Sequence, residues 1–144
     1  MTAFIDQKID LASGPVHFVK GGSGPALLHL HSAAGPRLSP AIEKLAAKHT
    51  IYMPTMPGFN GTPTHAGIAT MKDLGGLTAA FIRVTVGKSC DVVAESFGGW
   101  VALWLLFGMS ARLRACEAGR SPFGLGDAPA EASLPASIEV AQAE

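Results

Sequence analysis

Residues 92–100 read VVAESFGGW, and the reading of this stretch decides the fold. CDVVA at 90–94 reads as a strand, and an apolar segment, FGGWVALWLLFGM, follows Ser96 with a helical look as far as about Met109. Ser96 therefore sits where a strand passes abruptly into a helix. A serine held clear of a sheet on such a turn needs small residues two before and two after it, because neighbouring backbone crowds both positions. Those positions are Ala94 and Gly98, so the pattern is Ala-x-Ser-x-Gly. The start of the helix also brings free N–H groups and the positive end of its dipole to the serine.

Upstream, ALLHLH at 26–31 is nearly continuously apolar and reads as a strand buried on both faces. PVHFVK at 15–20 alternates, GGSGP at 21–25 is a turn, and the two strands together read as a hairpin entering the middle of a sheet. Ser39-Pro40 opens a helix as N-cap and first helical residue, with Ile42, Leu45 and Ala46 as its apolar stripe up to His49. TIYM at 50–53 is a strand, and 54–67 is a loop with three Pro and three Gly. Thr70 with Asp73 fits a capping box for the next helix, whose face is Leu74, Leu77, Phe81 and Val84. Gly75-Gly76 inside that helix costs about 1 kcal/mol per residue relative to Ala. The alternation of strands and helices predicts an α/β fold, a largely parallel sheet flanked by helices.

Three segments in order resemble the α/β-hydrolase superfamily, over roughly residues 10–110. The first is His31-Ser32-Ala33-Ala34-Gly35 after a buried strand, similar to the family's His-Gly-x-x-Gly loop with Ser32 for the first Gly. The second is PTMPGFNGT at 54–62, similar to Asp-x-Pro-Gly-x-Gly-x-Ser, with Thr55 for the acid and Asn60 inserted. The third is the Ser96 turn. The resemblance implies Ser96 as nucleophile, with the backbone N–H groups of Ala33 and Phe97 forming an oxyanion hole. It implies a small ester, amide or activated C–C bond as substrate, esterase-like chemistry, and neither metal nor organic cofactor. His31 reads as a loop brace rather than a base.

The family places its acid and then its histidine after the nucleophile, on later strand ends. Here Asp127 has no strand before it, and no histidine follows His65. His65 lies in the Gly/Pro-rich loop; His17, His29 and His49 fall on or beside regular elements; Asp91 and Glu95 flank the turn without replacing an imidazole. The expectation is the N-terminal part of the fold, incomplete at the C-terminus, with the acid and histidine of the triad absent. Residues 1–114 form the core. Residues 115–144, with eight Ala and one basic against five acidic residues, read as a disordered tail of a truncated or frameshifted chain. A rival reading is a non-catalytic fragment whose unpaired sheet edge supports self-association.

Composition narrows the remaining classes. A chain of 144 residues, 48% hydrophobic, can bury one core. Eleven basic and eleven acidic residues cancel, giving no electrostatic case for nucleic acid or an anionic membrane. MTAFIDQKID lacks the pattern of a secretory signal, and the longest apolar run, Trp100 to Phe107, falls far short of the roughly 20 residues that cross a bilayer. Cys90 and Cys116 show no metal or redox spacing, and the default is a soluble cytoplasmic protein.

Overall fold

Alternating residues in GPVHFVKGG put Val16 and Phe18 in the core and leave His17 facing solvent, which makes a strand half-buried by its own pattern. In the computed structural model, which describes residues 2–87 and 89–117 with side chains as far as residue 108, this strand is the second of five. The strands are β1 (Phe4–Leu11), β2 (Gly14–Gly22), β3 (Ala26–Leu30), β4 (Thr50–Pro54) and β5 (Asp91–Ala94). Three α-helices accompany them: α1 (Pro40–Ala46), α2 (Met71–Phe81) and α3 (Phe97–Glu117). The sheet order is β1-β2-β4-β3-β5.

The expected α/β architecture is present as a mixed sheet. β4, β3 and β5 pair in parallel, whereas β1 and β2 enter antiparallel. The expected hairpin of 15–20 with 26–31 does not form. β2 instead pairs with β1 through the turn between Leu11 and Gly14, and on its other side with β4, Phe18 opposite Pro54. β3 is buried at all five residues and takes the inner position between β4 and β5. A strand apolar on both faces gains most there, so β4 is inserted between the two segments that are adjacent in sequence. β1 buries little and lies at the sheet edge, which is why FIDQKIDL carries a weak strand signal.

Two apolar layers sandwich the sheet. Val16, Phe18, Leu28, Leu30, Leu77, Phe81, Val101 and Leu105 pack under α2 and α3. Leu27 and Ile51 pack with Ile42 and Ala46 of α1 on the other face. Ser39 caps α1, its Oγ accepting from the Ile42 N–H at 3.4 Å, and Pro40 opens the helix. α1 ends at Ala46, short of His49. The capping box at α2 forms in both directions: the Asp73 N–H donates to Thr70 Oγ1 at 3.2 Å, and Asp73 Oδ2 accepts from the Thr70 N–H at 2.8 Å.

Two features of α2 depart from its periodicity. Gly75 faces α3 so closely that a Cβ there would lie 2.9 Å from Leu105 N and the Trp104 carbonyl carbon, so the helices cross where only glycine fits. After Phe81 the chain continues as a π-helical turn, Ile82–Val86, closed by the Gly87 N–H donating to Ile82 O at 2.9 Å. The extra residue in that turn rotates the face, so Ile82 and Val86 are buried and Val84, expected inside, is exposed. α3 runs to Glu117, beyond the expected end near Met109, through ARLRACE, a segment rich in good helix formers. The expected tail from residue 118 onward, Asp127 included, lies outside the described residues.

Candidate functional site

The turn at Ser96 is built by backbone crowding. β5 ends at Ala94, α3 starts at Phe97, and Ser96 between them holds φ at +48°, in the left-handed region. A non-glycine residue in that conformation costs about 1–2 kcal/mol, so the surroundings must impose it. They do so through three hydrogen bonds: the Glu95 N–H to Leu30 O at 3.0 Å, the Gly98 N–H to Glu95 O at 2.8 Å and the Gly99 N–H to Ser96 O at 2.9 Å. Gly98 is pressed onto the end of β3, where a Cβ would lie 2.4 Å from Leu30 O and 2.8 Å from His31 O. Ala94 is buried. The two small-residue positions expected around Ser96 are therefore both tightly packed.

The loops after β3 and β4 meet at this turn through His31. Its Nδ1 lies 2.7 Å from Ser32 O, and its Nε2 accepts from the Met56 N–H at 3.0 Å. These partners require the neutral tautomer with the proton on Nδ1. Burial pushes the His31 pKa below its ordinary value; the Ser32 carbonyl opposes this and neighbouring His29 adds to it. Phe59 meets the His31 ring edge-on at 4.9 Å, Phe97 stacks on it at 6.2 Å, and the two phenyl rings lie 5.1 Å apart. The three segments singled out in the sequence thus converge on one buried imidazole, which braces them with both ring nitrogens occupied.

Ala33 is exposed on the loop that His31 anchors, and the Ala34 N–H donates to Ser32 Oγ at 3.3 Å. Among the described residues, the N–H groups of Ala33 and Phe97 have no protein acceptor. Ser96 Oγ likewise makes no hydrogen bond to any described residue, and all five histidines are among those described.

The remaining histidines have other duties. His65 is buried, its Nε2 is 2.9 Å from Pro15 O, and its ring sits against Gly14 at the β1–β2 turn. His49 Nδ1 lies 3.2 Å from Leu45 O, and His17 is exposed on β2. His29, buried on the α1 side of β3, places Nε2 3.3 Å from Glu95 Oε1, tying the residue before Ser96 to the central strand. Two residues separated by 66 positions give no local signal of this pairing, although the spacing of His29 from Leu27 does place it on that face. Both residues, with Arg37 and Ser39, line a cleft of about 280 Å³ beside the His31 loop. Among the described residues no three His, Cys, Asp or Glu side chains group as metal ligands, and no helix is long and apolar enough to cross a membrane.

No family model and no curated protein matches the chain. Solved structures do. An epoxide hydrolase from Vigna radiata superposes with a TM-score of 0.62 at 22% identity, over 72% of this chain and 35% of its own. Naproxen esterase from Bacillus subtilis gives 0.65 at 20% identity, over 77% and 41%. An α/β fold family hydrolase from Bacillus anthracis gives 0.60 at 15% identity, over 69% and 37%. The chain thus spans well under half the length of these hydrolases. Sheet order, strand-to-helix turn and these superpositions agree: the chain carries the α/β-hydrolase fold, matched over its N-terminal part.

Proposed function

We propose that this chain is the nucleophile-bearing portion of a serine hydrolase acting on a small ester, amide or activated C–C bond. The observation that carries the reading is Ser96 at φ +48° between β5 and the N-terminus of α3, held there by Gly98 against the Leu30 carbonyl. Ser96 Oγ attacks the carbonyl carbon and opens it to a tetrahedral oxyanion. The N–H groups of Phe97 and Ala33 donate to that oxygen, and the helix dipole of α3 adds to the stabilisation. A hydroxyl rather than a carboxylate on the turn favours acyl transfer. Among the hydrolases that share the fold, naproxen esterase is in keeping with this class, whereas the epoxide hydrolase supports hydrolysis only in general.

Removal of the Ser96 proton is the step these residues leave open. None of the five histidines hydrogen-bonds Ser96, and His31 spends both nitrogens on Ser32 and Met56. That observation favours a second reading, a hydrolase fold without hydrolase turnover. Without an oriented base, oxyanion stabilisation and binding alone sustain roughly 10³–10⁴-fold over water. Intact-mass detection of fluorophosphonate labelling separates the readings. The proposal expects one adduct on the folded chain and none on Ser96→Ala; a folded chain that takes up no label refutes it and leaves the second reading.

A further inference from the structure

α3 is apolar on two opposite faces. Val101, Ala102 and Leu105 are buried against the sheet and α2. Trp100, Leu103, Trp104 and Phe107 are 62%, 39%, 40% and 61% exposed, at the i, i+3, i+4, i+7 spacing of a second stripe on the far side. The rings of Trp104 and Phe107 pack edge to face at 5.9 Å, so the stripe is one continuous aromatic surface. From Phe97 to Gly108 the helix contains no charged residue. Directly before it lies β5, which pairs with β3 on one side and, among the described residues, with nothing on the other.

We propose that a second copy of this chain covers both features about a single two-fold axis. Antiparallel pairing of the two β5 edges would join the sheets, and the α3 helices, on the same face of each sheet, would then lie stripe to stripe. In the register that sets Val92 opposite Val92 of the second copy, which keeps opposed side chains on one face as the two-fold requires, Asp91 faces Val93 and Glu95 faces Ser89, so no like charges lie directly opposite. With about 150–250 Å² for an aromatic side chain, the stripe presents on the order of 400 Å² per chain. That is about half of the ~800 Å² each partner contributes to a standard interface, and the strand edge lies next to it. The composition is that of an interface core, rich in Trp and Phe and free of charge. A lipid surface matches less well, because lipid cannot satisfy a strand edge. The assembly is independent of any chemistry at Ser96.

Light scattering coupled to size exclusion, on the full chain from about 5 to 200 μM, tests the assembly. The expected mass rises with concentration from 14.8 kDa towards twice that value. The double variant Trp100→Glu/Phe107→Glu stays monomeric with an unchanged circular dichroism spectrum, and the milder Trp100→Ala weakens association at least tenfold. Val84→Glu, exposed but off the stripe, still dimerises. A wild-type chain that is monomeric throughout overturns the proposal, as does a dimer that survives the double substitution. Co-sedimentation of a monomeric wild type with phosphatidylcholine–phosphatidylserine vesicles overturns it in favour of lipid.

Discussion

Replacing Gly98 by alanine tests whether backbone crowding makes the Ser96 turn. The added Cβ would lie 2.4 Å from Leu30 O, 2.7 Å from Leu30 C and 2.8 Å from His31 O. All three are main-chain atoms, and those of Leu30 belong to a central strand paired on both sides, so no side-chain rotation relieves the overlap. Overpacking of cores costs about 1–3 kcal/mol, and a clash with immobile backbone belongs at the upper end. Alanine also gains up to about 1 kcal/mol over glycine in a helix, so the net loss expected is about 2–3 kcal/mol. For a domain of this size that lowers Tm by on the order of 10 °C. Gly99→Ala is the internal control: nothing lies within 4 Å of its Cβ position, so only the helix-propensity gain remains and stability should rise. Urea unfolding followed by circular dichroism reads both variants. Equal stabilities for the two alanines, or a Gly98→Ala midpoint at or above wild type, refutes the crowding argument.

Two further outcomes follow from the same site. The His31 pKa is lowered on folding, so the unfolded chain binds the proton more readily; the contribution is fully present above the ordinary pKa of 6.5 and is lost as pH falls through the lowered folded value. Urea midpoints should therefore fall on acidification below pH 6.5, and His31→Phe, which strands the Met56 N–H and Ser32 carbonyl, should cost about 1–3 kcal/mol at neutral pH and flatten that dependence. Ser96→Gly should raise stability by about 1 kcal/mol, because glycine holds positive φ without strain, whereas Ser96→Ala should not; equal midpoints for the two would show that the turn carries no strain.

The sequence by itself determined the features whose physics is local. The Ser96 turn was visible because its requirements, small residues at 94 and 98 between a strand and an apolar helix, fall within a few positions. The Ser39 cap and the Thr70–Asp73 capping box were visible because their hydrogen bonds span three residues. Burial of β3 was readable from its unbroken apolar run. The choice of neighbours was decided only in the tertiary structure. Side-chain alternation tells a strand which face it buries and is silent about which strand it pairs with, so the expected pairing of β2 with β3 gives way to a sheet in which β4 lies between them. The π-helical turn that exposes Val84, the contact of Gly75 with α3 and the His29–Glu95 pair likewise depend on groups far apart in sequence. His31 shows the division within one residue. Its position after a buried strand marked it as a loop brace, but its actual partner, the Met56 N–H, is set by the sheet order that places β4 beside β3.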